Sequence, residues 1–423
     1  MKPQYHLAPT AAPVLWQDIG RAALGLVCKR RYRNLIEEEM RQCFGVKNLF
    51  LLSSGKAALV TILRALASRT TRRKVIIPAY TCYSVPSAIV RAGCTVALCD
   101  VDPHTLDFDF TKLKSIVGSD TLCIVSSHLL GHVADVERAQ AIAKPYAVPV
   151  VEDAAQALGG RHKGRWLGTQ GDIGFFSLGR GKQLTAGSGG IILTESDDLA
   201  SRLSSACQEV PEASIRDQAA NLFTVVGMKL LIHPWLYWLP AGLPFLKLGE
   251  SIFDVNFAIN RFDESRAGLL LSWRQRLNQA IESRSMRVDE YLYKLNSDVE
   301  PLNLSRCVKT AYLRLPLIMS SAEDKQRLCT LATNKGLGVS PLYPSPVSQI
   351  PQFKMLFEQE RFPGAELLAG RLVTLPVHVH VAASDITRIC ELLHPLVNGI
   401  PWLPGMVEEQ SRAEKFTHVH LNG

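Results

Sequence analysis

Short, unbroken apolar runs recur through the first half of the chain, each followed by a small-residue turn and a stretch of helical periodicity. Residues 49–52 form the first run; Ser53, Ser54 and Gly55 follow it, and apolar positions from about Lys56 to Leu66 take helical spacing. Residues 74–102 repeat the theme as strand, turn, helix (84–92) and a second strand ending in acids. Further runs cover 122–126, 148–151 and 173–178, and Asp135 leads into the helix preceding Val148. Runs this short and this apolar are the pattern of parallel strands buried on both faces. Their alternation with helices predicts a largely parallel sheet with helices on either side, and ligands bind such sheets beyond the strand C-termini.

The pattern changes elsewhere. Residues 14–40 read as one basic, partly amphipathic helix carrying Lys29, Arg30, Arg31 and Arg33. Its short apolar stretch is broken by Trp16, Asp18 and Arg21 and does not read as a signal peptide. Residues 222–248 are rich in Leu, Trp, Tyr, Phe and Pro, but Lys229, His233, Pro234, Pro240 and Pro244 interrupt them, which argues against a spanning helix. Two readings stay open for this insertion. It packs on the body or a partner subunit, or it lies at a lipid interface with Trp235, Tyr237, Trp238 and Phe245 at headgroup level, aided by the basic N-terminal helix. Beyond about Met286 a smaller α+β pattern follows, with strands near 310–318 and 373–375 and helices at 322–335 and 384–396. The expected organisation is a helical arm over 1–45 and a large domain over 46–285 with an insertion at about 205–259. A small α+β domain over 286–400 and a loose tail over 401–423 follow.

Composition narrows the classes. The chain has 423 residues, 47% hydrophobic and 20% charged, which is an ordinary globular balance. A formal charge of +8 over this length suits anionic ligands or surfaces, and no basic run interleaved with aromatics marks a nucleic-acid site. Ten cysteines without a C-x-x-C pair suit a reducing compartment. The H-x-H pairs His378/His380 and His418/His420 lack partners at ligand spacing, so no metal is expected.

The chemistry concentrates between Val148 and Gly190. There the run 148–151 delivers Glu152 and Asp153, with the small residues 154–158 expected to open a helix, and the run 173–178 leads to Lys182 among glycines 179, 181, 187, 189 and 190. A strand-end Asp and a glycine-hemmed Lys are what pyridoxal 5′-phosphate (PLP) chemistry requires. The amine holds the cofactor covalently, and the carboxylate keeps the pyridine nitrogen protonated. The ordered motifs EDAAQAL, GDIGFFS, Lys182 and GSGGIILT resemble the DegT/DnrJ/StrS-type sugar aminotransferases, a branch of fold-type I PLP enzymes, and the resemblance extends over most of the chain.

The resemblance implies a fold-type I α/β architecture, Lys182 and Asp153 as catalytic residues, and a set of cofactor contacts. Backbone amides at Gly55, Lys56 and Ala57 and the Ser177 hydroxyl would hold the phosphate, and Gln156 would lie against the ring oxygen. Lys56 stands where the family has Thr. Cys82 takes the place of the ring-stacking aromatic, so either Cys82 packs on the ring or Tyr83 reaches it from a shifted register. The family's cross-subunit Asn falls at Ile259, leaving Asn260 as its substitute in a homodimer with shared active sites. His128 and Gly131 match a family segment near the cofactor. The expected reaction is transamination of a keto sugar, nucleotide-linked, with an amino acid such as glutamate as donor, serving surface polysaccharide or amino-sugar synthesis. The expected setting is the cytoplasm, with peripheral contact at the inner face of a membrane left open. Other PLP chemistry on a different carbonyl, or a non-catalytic membrane-associated regulatory role, are the alternatives.

Overall fold

The computed structural model describes residues 5–27, 31–243, 249, 251–295 and 311–397. Lys29 and Arg30 of the basic cluster, Pro244 and Phe245 of the apolar insertion, and the tail with His418 and His420 lie outside the described residues.

Fourteen strands are described, and seven of them form the main sheet: β1 (Asn48–Leu52), β2 (Lys74–Pro78), β3 (Thr95–Cys99), β6 (Thr121–Ser127), β7 (Val150–Asp153), β10 (Ile173–Ser177) and β11 (Gly190–Thr194). Two short hairpins, β4 (Val101–Asp102) with β5 (Asp107–Phe108) and β8 (Arg161–His162) with β9 (Arg165–Trp166), decorate the connections. The sheet order is β1-β11-β10-β7-β6-β2-β3. Five neighbouring strands from β10 to β3 run parallel, while β11 is antiparallel to both its neighbours. The central strands are buried on both faces, as their unbroken apolar runs predict. The fold is thus α/β with a mostly parallel sheet flanked by helices. β12 (Leu315–Ile318), β13 (Ser340–Pro341) and β14 (Leu372–Leu375) make a second, antiparallel sheet in the order β12-β14-β13, with its own apolar cluster against the helices Ala322–Asn334 and Ala383–Val397.

Two local expectations are corrected. The basic helix expected over 14–40 is two helices, Trp16–Val27 and Tyr32–Phe44, and the second starts after Arg31, whose backbone is non-helical. The strand expected to deliver a carboxylate at its end does so as Val150–Asp153, with Glu152 and Asp153 on opposite faces of the sheet. No helix follows at 154–158. The Ala154 N–H is taken by the Phe175 carbonyl at 3.0 Å, and the chain then makes successive tight turns, Ala157 N–H to Ala154 O and Gly160 N–H to Ala157 O, both 2.9 Å. These are three-residue turns, with each N–H bonded to the carbonyl three residues back rather than four.

The connection between β10 and β11 carries Lys182 and is braced from below by the long helix Trp273–Leu295. Arg276 donates to Thr185 O at 2.6 Å and to Pro13 O at 2.8 Å; Arg284 donates to Ala11 O at 2.8 Å and to Lys182 O at 3.4 Å. Burial lowers both guanidinium pKa values to about 10, so both remain charged at neutral pH. The apolar insertion continues this bracing. Its helix Ile215–Leu231 is capped by Ser214 and plugs Asn221 into Ala186 O at 2.8 Å. Further on, Trp235 meets Tyr5 edge to face at 5.3 Å, and the Tyr237 ring lies 5.9 Å from His6. This part of the insertion packs on the body, while Phe223 (79% exposed) and Trp235 (62%) still face outward. Among the described residues no helix is long and apolar enough to cross a membrane.

Gly174 shows how tightly β10 is seated. A Cβ there would stand 1.9 Å from the Gly168 carbonyl oxygen, a backbone atom that no rotamer change can move aside. Gly174→Ala is therefore expected to destabilise the protein by roughly 2–3 kcal/mol, as overpacking of a closed interior does. The midpoint of urea unfolding measures it, and a midpoint equal to wild type contradicts the packing described.

Candidate active site

Asp153 ends β7 and, in register with Phe175 of β10, sits beside the start of the Lys182 loop. Both line a cavity of about 400 Å³ beyond the strand C-termini, together with Gly55, Lys56, Cys82, Gln156 and Ser177. The sheet therefore collects these residues from four separate chain segments. Ala57 and Asn260 are not part of the lining.

At one end of the cavity Ser54 caps the helix Gly55–Ala67, its hydroxyl accepting the Ala57 N–H at 3.0 Å. Among the described residues the Gly55 and Lys56 amides have no partner, so the helix presents two free N–H groups and its positive dipole end to an anion. Ser177 stands against this turn: a Cβ on Gly55 would lie 2.9 Å from the Ser177 Cβ and 3.1 Å from its Oγ. The Lys56 ammonium turns to its own chain, 3.9 Å from Asp254 and 4.1 Å from the Phe257 ring centre, and burial lowers its pKa. Asn260 pairs through its backbone with Ser53, exchanging Ser53 N–H to Asn260 O at 2.9 Å and Asn260 N–H to Ser53 Oγ at 3.0 Å.

At the other end, Asp153 is buried with few partners. Oδ1 accepts the Ala155 N–H at 3.0 Å, and Oδ2 has only a long contact of 3.5 Å to the Ser127 hydroxyl. Burial raises its pKa above the ordinary carboxylate value, against the Ala155 amide and the nearby Lys182 and His128. Burial also lowers the Lys182 amine pKa; Cys82 and Asp153 act against that, and the charge of Arg314 adds to it. Among the described residues the Lys182 amine has no ion pair or hydrogen bond, so a lysine that exchanges its proton readily faces an under-partnered carboxylate.

Between the ends, Cys82 lines the cavity and Tyr83 does not. The Tyr83 hydroxyl is 2.7 Å from Ser345 Oγ, and its ring stacks on Tyr343 at 6.4 Å. Of the two candidates for the cofactor face, only Cys82 is in place. Gln156 is held at both amide ends, donating to Tyr343 Oη at 2.7 Å and accepting Leu130 N–H at 3.0 Å.

Glu152, on the opposite face of β7, is the residue whose weight its sequence did not reveal. Its carboxylate accepts the Gly168, Gln170 and Gly171 amides at 2.5, 2.7 and 2.8 Å and meets His128 Nε2 at 2.7 Å. His128 Nδ1 accepts the Ala134 N–H at 3.0 Å, which leaves the ring proton on Nε2, donated to Glu152. Burial pushes the Glu152 pKa up, but these donors outweigh it and the net shift is downward. Arg314 also escaped sequence reasoning; its only signal was a lone charge in the apolar run 311–319.

The donor set fits PLP. Free amides and a hydroxyl face a phosphate, a nucleophilic lysine faces an aldehyde, and a buried carboxylate oxygen lacking a good donor faces a ring N–H. Fold and site together define a PLP-dependent aminotransferase. The chain belongs to the DegT/DnrJ/EryC1/StrS aminotransferase family, whose profile matches residues 25–394. GDP-perosamine synthase of Escherichia coli O157:H7 is 25% identical over 366 residues, covering 86% of this chain and 90% of that protein. The fold is shared with Helicobacter pylori PseC, an aminotransferase of pseudoaminic acid biosynthesis (TM-score 0.74, 18% identity, 93% and 99% of the two chains). It is also shared with the E. coli GDP-4-keto-6-deoxy-D-mannose-3-dehydratase holding hydrated PLP (TM-score 0.70, 16% identity, 92% and 100%).

The Glu152 geometry has a pH signature. A carboxyl whose folded pKa is depressed contributes stability above its unfolded value of about 4.5, and loses it as pH falls through the folded value. Glu152→Gln is therefore expected to be less stable than wild type at pH 7 by roughly 1–3 kcal/mol. The gap should close on acidification below the ordinary glutamate pKa. Thermal melts of both proteins across pH 3–7 measure this, and a pH-independent gap contradicts it.

Proposed function

We propose that the protein transaminates a keto sugar, nucleotide-linked, using an amino acid such as glutamate as donor. The observation that carries the reading is the placement of the unpaired Lys182 amine and the under-partnered Asp153 carboxylate in one cavity, across from free helix amides. The activities of the perosamine synthase and PseC support the sugar class, and the GDP in the former's name supports a nucleotide-linked substrate. We further propose the division into a large domain over 46–285 and a small one over 286–400, a homodimer, and a cytoplasmic setting.

Bound PLP supplies an aldehyde that carries the amine and a ring that takes up electrons. Lys182 Nζ, kept readily unprotonated by burial, removes the proton from the donor α-carbon. Asp153 accepts the ring N–H through its under-used oxygen, which also relieves its own burial. Gly55 and Lys56 hold the phosphate through their amides, with the Ser177 hydroxyl beside them; Ala57 contributes by anchoring the Ser54 cap. Cys82, in the cavity lining, would pack on the ring, and Gln156, fixed by Tyr343 and Leu130, would lie against the ring oxygen. Asn260 is placed next to the phosphate-binding turn by its pairing with Ser53, so we assign it to the phosphate end of a shared dimer site. A lysine at this position, able to hold the cofactor covalently, suits transamination.

Two measurements test the reading. A visible absorption band is expected from the PLP-loaded protein, bleached by glutamate and absent in Lys182→Ala; no band at saturating PLP sinks the enzyme reading. Gly55→Ala, which pushes the helix turn off Ser177, is expected to weaken PLP binding by about 10–100-fold, the loss of one or two charge-assisted hydrogen bonds. Unchanged affinity by fluorescence titration removes the phosphate assignment.

A further inference from the structure

The strands that deliver active-site residues at their C-terminal ends converge on a second cavity at the other end. It measures about 680 Å³. Leu122 opens β6 there, Val148 and Pro149 lead into β7, and Asp172 leads into β10. At their far ends the same strands present Ser127, Asp153 and Ser177 to the catalytic cavity. The two linings have no residue in common, and the length of β6, roughly 20 Å, separates them.

Floor and rim differ in character. Leu66, Leu122 and Val148 are buried beneath the cavity and give it an apolar floor. The rim carries three cations, Arg72, Lys144 and Arg202, against the single carboxylate of Asp172. That carboxylate is engaged, its Oδ2 accepting the Val150 N–H at 2.8 Å. Arg72 is fixed by neutral acceptors, donating through Nη1 to Tyr146 O at 3.1 Å and Thr121 O at 3.4 Å, so its direction is set and its charge is not cancelled. The neighbouring Asp120 is held by Lys74 at 2.7 Å. Arg202 and Arg69 share one acid, Asp198, with Arg69 at 3.0 Å, so two positive charges meet one negative. The Arg202 Nε is buried without a hydrogen-bond partner. Among the described residues the Lys144 amine has neither an ion pair nor a hydrogen bond.

We propose that this cavity is a second ligand site, apart from the catalytic one, and that it takes a nucleoside diphosphate. Its volume falls within the roughly 300–1,000 Å³ of small-molecule sites, which combine an apolar lining with a few placed polar groups. The surplus of positive charge selects an anion, and a phosphate oxygen supplies the acceptor that the buried Arg202 N–H lacks. The apolar floor selects a ligand with a flat, weakly polar part as well, which a nucleobase provides and a bare phosphate or a small carboxylate does not. Bound there, a nucleotide stands a full strand length from Lys182 and takes no part in the chemistry, so the site is that of an effector. It is independent of the transamination reading.

The test uses the full-length, PLP-loaded protein as wild type, Arg202→Gln and Lys144→Gln. Photolabelling with an azido-GDP, followed by peptide mapping, locates the site, and competition of that label by unlabelled GDP gives its affinity. Label is expected on peptides spanning 140–149 or 199–202, competed by GDP and not by guanosine. Arg202→Gln should raise the GDP concentration that halves this label about tenfold, the loss of one charge-assisted hydrogen bond. Lys144→Gln should act in the same direction, and because the residue is exposed it decides alone if Arg202→Gln loses the PLP band. Label confined to peptides carrying 54–56 or 177–188 places the nucleotide in the catalytic cavity only and overturns the proposal. Competition by guanosine equal to that by GDP, or an unchanged GDP requirement in folded variants, overturns it as well.

Discussion

A buried charge with every acceptor position used holds the centre of this molecule together. Glu152 sits in β7, the middle strand of the seven-stranded sheet, and its carboxylate gathers the amides of Gly168, Gln170 and Gly171 and the His128 ring. Left without these donors, the carboxylate would be expensive to bury; with them it ties β6, β7 and the 168–171 loop into one unit. Because side chains alternate along a strand, fixing Glu152 on one face fixes Asp153 on the other. One residue is saturated with hydrogen bonds and its neighbour is left short of them. The first is structural, and the second has an acceptor to offer to a ligand.

The same contrast recurs among the cations. Arg276 and Arg284 lie under the Lys182 loop with their donors directed at carbonyls and at Asp18, and they hold the loop against the long helix and the N-terminal segment. The Lys182 amine remains without a hydrogen bond or ion pair above it. Rigid support below and unpaired groups above is the arrangement that positions reacting groups without motion at the moment of reaction. The apolar insertion takes part in this support through Asn221, which grips Ala186 of the loop.

The departures from the family pattern fall where the backbone can carry the function or where the side chain is replaceable. At Lys56 the amide faces the anion site and the side chain is turned aside to Asp254 and Phe257. At Cys82 a small polarizable side chain occupies the position of a ring-stacking aromatic, while Tyr83 is drawn away by Ser345 and Tyr343. The aromatic and hydrogen-bonding material near the cavity comes from Tyr343 instead, on a turn just past β13.

What the amino-acid sequence determined by itself was the class of sheet, the strand-end acid and the glycine-hemmed lysine. Unbroken apolar runs are written locally, and so is the residue that ends each one. The break of the first helix and the missing helix after Asp153 were not legible; in place of the second the chain makes tight turns from Ala154 to Gly160. The two acids of β7 look alike in sequence, and only the tertiary structure separates them, since their roles depend on which donors approach from loops far along the chain. Arg314 was invisible for the same reason. A lone charge in an apolar run is ordinary until the fold shows that its Nε is buried without a hydrogen-bond partner, and that the lysine it acts on lies more than a hundred residues earlier.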